Sequence, residues 1–260
     1  MKTGNKAFCS KHNIAFDTGE GCTWCAPKLT IQPSTVDDSL TIPSSYNTII
    51  SSNPPYSPSA TSKGSRITIR QKDLDGRNVL TWPLNKFVGE VTIDPSLREL
   101  IIAGNIIIQG DLIALGTNLQ VIDDIDVSGN LKGFSIKAGA IRVKGNLETC
   151  GYIFSSGNIR ANKISSGHFI KSDGDIISAT SIEVQSSIEA RGTIRAGSHI
   201  YTGEGISAGL NIIAGGTLSA SNRVLAGTCC WKIPSQDERT TTCSKLLSGH
   251  VDSLLVETAP

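Results

Sequence analysis

A ladder of aliphatic residues spaced six apart constrains this chain more than any other feature. From Ile170 it runs through Ile176, Ile182, Ile188, Ile194, Ile200, Ile206, Ile212 and Leu218 to Val224 without a miss. Two residues after most rungs stands a small side chain: Ser178, Ala190, Ala196, Ala208, Ala214, Ala220 and Ala226. A sustained short period marks a repeat architecture, and a hexapeptide period points to a parallel β-solenoid. A three-sided coil takes about eighteen residues, so rungs six apart place one aliphatic side chain inside on each face. Alternate residues of a strand share a face, so the small residue also points inward and leaves space for the larger one. An amphipathic helix needs apolar residues every three to four positions. This segment is too rich in glycine and β-branched residues for one. The expected fold is therefore all-β: a three-sided parallel β-helix.

Read backwards, the same step holds at Ile101, Ile107, Ile113, Leu119, Ile125 and Leu131. It drops to five at Ile136 and Ile141, returns to six through Leu147, Ile153 and Ile159, and drops once more to reach Ile164. Gly133, Gly139 and Gly167 lie close to these slips, as expected if each falls at a corner where losing one residue tightens the turn. Residues 88–226 would then form roughly seven to eight coils, a rod about 35 Å long at the usual spacing of stacked strands.

Composition agrees with this reading. Twenty-six glycines, 5% aromatic residues and one methionine fit many short, turn-separated strands. A net charge of +1 with 18% charged residues argues against a dedicated DNA binder, which carries a concentrated basic face. No apolar run approaches the ~18 residues that span a bilayer, and the first residues lack the apolar stretch of a signal peptide. A cytoplasmic location is expected, where cysteines serve as metal ligands or buried thiols rather than disulfides.

Outside the ladder, residues 1–27 carry Cys9-x2-His12 and Cys22-x2-Cys25. Each pair can clasp one side of a tetrahedral ion, and the gap between pairs allows a short hairpin. Three soft thiolates and one imidazole are a Zn²⁺ donor set, and four protein ligands make a closed, structural site. Cys9, His12, Cys22 and Cys25 are the expected metal ligands, in a small zinc knuckle with Trp24 packed on its own loop. Residues 28–64 turn to Ser, Thr and Pro and read as a linker. Residues 65–226 are assigned to the solenoid, opening with an alternating strand at Arg66–Arg70 and the turn Asp73-Leu74-Asp75-Gly76. That turn lacks the further ligands of a calcium loop. Trp82, Pro83, Leu84 and Phe87 are expected to cap the open N-terminal end. Residues 227–260 leave the period and hold Cys229, Cys230, Cys243 and His250, whose spacing matches no compact metal motif. Trp231, Ile233 and a short helix built on Leu246, Leu247, Val251, Leu254 and Leu255 are expected to cap the last coil.

Stretches such as Gly157-Asn158-Ile159-Arg160-Ala161 and Gly192-Thr193-Ile194-Arg195-Ala196-Gly197 resemble the G-x-I-x-A repeats of bactofilins, the polymer-forming cytoskeletal family. The resemblance covers about half the chain and implies a rigid β-helix that stacks end to end into nucleotide-free filaments. The chain departs from the family in its zinc module and cysteine-bearing tail. It also has no Phe in the final coil, where that family uses an aromatic residue for assembly; Trp231 lies just past it.

The function expected is a non-enzymatic cytoplasmic scaffold or polymer-forming protein. It would act by self-association or by holding a protein partner on its faces and ends, with the zinc module as adaptor. The alternatives are a viral or prophage-type host-factor inhibitor or spike, and a hexapeptide-repeat acyltransferase. Such an enzyme uses a histidine as general base, and within the repeats only His168 and His199 qualify. In that family the small residue precedes the aliphatic one by two, whereas here it follows. Arg142 and Arg160, eighteen apart, are expected to stack on one face with Lys144 beside them and Arg195 further along. Acids such as Glu148, Glu183 and Glu189 share the solenoid, so this stripe reads as solvated surface.

Overall fold

The computed structural model describes residues 65–258 throughout and, before them, only the backbone of two strands, Lys6–Cys9 and Ile14–Asp17. These two pair antiparallel, with Cys9 opposite Ile14. The chain divides into two compact units, Met1–Asn53 and Pro54–Pro260. The expected zinc ligands lie outside the described residues, apart from the backbone of Cys9.

The second unit is a parallel β-solenoid of about 10 turns. Three strands make a turn, and each strand pairs in register with its counterpart on the turns before and after. On the first face, Leu147 pairs with Ile164, Ile164 with Ile182, Ile182 with Ile200 and Ile200 with Leu218. On the second, Ile153, Ile170, Ile188, Ile206 and Val224 stack likewise. The third carries Ile125, Ile141, Ile159, Ile176, Ile194 and Ile212. The short strands read buried–open–buried, as in Ile188–Ala190 and Ile206–Ala208. The rung and the small residue two further on thus both face the core, as the pattern required. Among the described residues the aliphatic rungs form one continuous buried cluster from Ile69 to Val224, joined by Cys243.

Two sets of polar side chains lock one turn to the next. Small hydroxyl residues at inward corner positions donate to carbonyls of the preceding turn: Ser166 to Gly151 at 2.7 Å, Ser172 to Gly157 at 2.6 Å and Ser178 to Asn162 at 2.8 Å. Ser155 and Thr202 do the same to Gly139 and Ser186. At other corners an Asx side chain accepts from the backbone of the following turn. Asp111 receives the Asn130 N–H at 2.6 Å, Asn130 that of Asn146 at 3.0 Å, Asn158 that of Asp175 at 2.7 Å and Asp175 that of Thr193 at 2.8 Å. A corner amide cannot join the strand ladder, so these bonds satisfy groups that burial would otherwise penalise. No buried side-chain nitrogen or oxygen among the described residues lacks a partner.

The structure corrects the expected phase of the first coils. Leu100, Ile106 and Leu112 are fully buried, whereas Ile101 and Ile113 are half-buried and Ile107 is 41% exposed. The side-chain period of a strand is two, so a one-residue shift turns every side chain to the opposite surface. The phase is restored by one extra residue between Leu112 and Leu119, where the long strand Leu112–Val121 shifts register between Ala114 and Asn118. Gly116 takes a left-handed φ of 85° there, and buried Thr117 donates to the Leu97 carbonyl at 2.7 Å.

The ladder is also longer than its periodic part. Ser65–Ile69 pairs in parallel with Phe87–Ile93, so the stack reaches at least to Ser65. Of the expected N-terminal covering residues, Leu84 and Phe87 are buried, Trp82 is half-buried against the core and Pro83 is exposed. At the other end the short helix expected around Leu246–Leu255 is absent. Lys245–Val251 and Leu254–Glu257 are strands that pair in parallel with Thr217–Leu225 and Thr240–Cys243. Apolar residues three to four apart fit a helix in isolation. Here unpaired backbone at the end of the stack offers them a ladder instead.

Candidate functional surfaces of the solenoid

Among the described residues the inward positions of the solenoid form a closed core, so the side chains open to a ligand are the outward residues of each strand, the corners and the ends. The outward row of the third face runs Asp126, Arg142, Arg160, Ile177, Arg195 and Ile213, each in register with the next. Arg142 and Arg160 are thus direct neighbours, as their eighteen-residue spacing implied. Arg142 is offset by Asp124 at 3.1 Å and Asp126 at 3.5 Å. The Asp124 carboxyl is held below the ordinary range, chiefly by the Ala140 backbone N–H and further by Arg142. Among the described residues the side chains of Arg160, Lys144 and Arg195 make no ion pair or hydrogen bond.

His199 sits at the corner that precedes the first face. Its Nε2 lies 3.2 Å from Glu183 Oε1 and its Nδ1 3.2 Å from the Ser198 hydroxyl. Glu183 is therefore an orienting partner for His199, which sequence reasoning did not find. Two elements must turn the same corner to bring them together, and no local motif marks that. Lys163 Nζ reaches the same Glu183 oxygen at 2.7 Å and is the main reason the carboxyl stays below its usual range. A carboxylate shared with a lysine polarises imidazole less than an undivided one. The nearby backbone N–H groups of Gly197 and Ser198 donate to Ser178 and Thr180, so the ladder already uses the donors an oxyanion would need. His168, the other candidate base, is exposed and lies edge-on to Phe169, which stacks on Tyr152 at 5.3 Å between ring centroids.

The four described cysteines are free and do not converge. Cys243 faces the core, where burial pushes its thiol above the usual value. Cys150 and Cys230 are exposed, and Cys229 donates to the Lys232 carbonyl at 3.0 Å. Among the described residues no three His, Cys, Asp or Glu side chains form a metal-holding group, so Cys229, Cys230, Cys243 and His250 are not brought together. His250 instead contacts Asp252 at 2.9 Å, which also receives Arg223 at 2.5 Å.

This last contact ties the final turn to the one before. Arg223 chiefly, with help from His250, holds the Asp252 carboxyl below its ordinary range. A depressed folded value means the contact contributes fully above the unfolded pKa and is lost as pH falls through the folded one. Protection of the Lys245–Val251 amides, taken relative to the intrinsic exchange rate at each pH, is therefore expected to fall on acidification below about pH 4, ahead of that in the central turns. Asp252→Asn should bring the same local loss of protection at neutral pH. Hydrogen-exchange mass spectrometry of the two proteins checks this.

The C-terminal end presents a different surface. Among the described residues, Lys245–Val251 pairs only with Thr217–Leu225 and Leu254–Glu257 only with Thr240–Cys243. One long edge of each of these two strands is thus open. Around the C-terminal edge Leu247, Leu254 and Val256 are 57%, 46% and 40% exposed. Trp231 and Ile233, on the loop before the final turn, are exposed as well. Among the described residues no helix is long and apolar enough to cross a membrane. No family model matches the chain, nor does any curated protein or solved structure.

Proposed function

We propose that this protein is a non-enzymatic structural scaffold that associates with further copies of itself through the ends of its solenoid. The observation that carries the reading is the open parallel edge at the C-terminal end, Lys245–Val251 with Leu254–Glu257. An unpaired strand edge templates another strand, and a head-to-tail contact that repeats makes a filament rather than a closed ring. This is the assembly that the bactofilin-like repeats imply. Leu246, Val251 and Leu255, only partly buried against the core at this end, would be covered by the next copy. The reading extends to a cytoplasmic protein whose N-terminal module holds one structural Zn²⁺ on Cys9, His12, Cys22 and Cys25 and acts as adaptor. Three thiolates and an imidazole fit that ion's preference for soft, tetrahedral ligation.

Purified full-length protein is expected to form filaments by negative-stain electron microscopy, with about one zinc per chain in the same sample. Leu246→Lys combined with Leu255→Lys should leave short or single particles whose circular dichroism matches the parent. A strict monomer at high concentration in sedimentation would defeat the end-to-end reading, and absence of zinc would defeat the adaptor.

A second reading rests on the His199–Glu183 contact, which gives a hexapeptide-type acyltransferase an oriented base. Turnover of an acyl-CoA that disappears in His199→Ala would favour it over the scaffold.

A further inference from the structure

The third face carries a charge imbalance that its own fold does not resolve. A shallow groove of about 400 Å³ runs from the outward row of this face to the corner that follows it. It is lined by Asp126, Arg142, Lys144, Arg160 and Asn162, with Ala161 and Ala179 leaving room beside them. Like charges directly opposite on neighbouring strands are unfavourable, yet Arg142 and Arg160 stand in register on adjacent turns. Asp124 and Asp126 offset Arg142 from the N-terminal side. On the other side Arg160 meets Ile177, and the Arg160 and Lys144 side chains have no acid among the described residues. Elsewhere lysines, arginines and acids pair across neighbouring turns: Lys132 with Glu148, Lys171 with Glu189 and Arg191 with Asp173. In a chain whose net charge is +1, two unpaired cations beside a third in one concavity are a local concentration rather than an overall excess.

We propose that this groove binds a diphosphate group, with Arg160 and Lys144 as its principal contacts and Arg142 completing the row. Guanidinium groups match phosphate oxygens as two-pronged donors, while a lysine supplies a point charge. The arginines sit on strands about 4.8 Å apart, so two linked phosphoryl groups fit the row better than one. The backbone N–H of Lys144 is committed to Val127 at 2.9 Å. Binding therefore rests on side chains alone and is strongly weakened by salt. The site lies on the flank, away from the open C-terminal edge, and does not depend on the scaffold reading.

Titration calorimetry of the full-length protein at low ionic strength, with inorganic pyrophosphate as probe, tests this. Saturable one-to-one binding is expected, weakened at least tenfold by Arg160→Ala with Lys144→Ala and by raising the salt to near-physiological strength. Arg195→Ala, two turns further along the same row, should change affinity less than twofold. ADP binding as tightly as pyrophosphate would assign recognition to the phosphates alone, and tighter binding would mark a nucleotide as the source; both support the site. No saturable binding, or equal affinity in the double variant and the parent, would overturn it. Circular dichroism of the double variant confirms its fold.

Discussion

Ile106→Ala is expected to cost about 2–5 kcal/mol of stability, whereas Ile107→Ala next to it should change stability by no more than about 0.5 kcal/mol. Ile106 is fully enclosed by the stack, in register with Ile125 on the following turn, while Ile107 is 41% exposed on the outer surface. Truncating the first removes methyl groups from a site that neighbours above and below hold too rigidly to collapse. Truncating the second removes them from the outer surface, where water fills the space they leave. Urea denaturation followed by far-ultraviolet circular dichroism would read both variants. The six-residue step taken alone places Ile107 inside and predicts the opposite ranking. A larger loss for Ile107→Ala would show that the first coils are stacked one residue out of register from those described here.

Gly89→Ala is expected to detach the first strand from the solenoid. Gly89 has φ +133°, and a Cβ added there would lie 1.9 Å from the Ser65 carbonyl oxygen. The obstruction is backbone, so no side chain can swing away to relieve it. Either the strand Ser65–Ile69 leaves its ladder with Phe87–Ile93 or Gly89 takes a new conformation, at a strain cost of about 1–3 kcal/mol. Interactions in a solenoid reach only neighbouring turns, so the damage should stay local. Limited proteolysis is expected to cut the variant between residues 65 and 87 while the turns from Leu100 onward keep parental protection. Uniform loss of protection across the chain would contradict this.

The architecture was legible because its rungs lie inside on every face, so the period survives wherever strands are short and turns regular. It was ambiguous where both parities are apolar. Ile106-Ile107-Ile108 and Leu112-Ile113 offer an aliphatic residue to either surface. The choice is made by register with Ile125 and Leu131 and by the extra residue near Gly116, which are non-local facts. The terminal leucines misled for a related reason, since their spacing fits a helix and only the open edge beside them selects strands. Of the candidate sites, the Arg142–Arg160 neighbourhood was readable from coil length, and Lys144 from adjacency. The His199–Glu183 contact was not, because it joins a corner to the strand of another turn. The Asx ladder does leave a trace in the sequence: Asp111, Asn130, Asn146 and Asn162 recur near coil spacing, each in a polar turn.

In a solenoid the backbone hydrogen bonds between turns run along the long axis. A pull on the two ends would therefore load these bonds end-on, and each boundary between turns would carry the whole force through one ring of them. Such a rod fails at its sparsest ring. The final boundary, where Thr217–Leu225 meets Lys245–Val251, loses register between Leu218 and Ser219 and again between Ser219 and Arg223. There the Arg223–Asp252 contact acts as a rivet across a seam, and under tension the last turn would peel away before the regular turns behind it part.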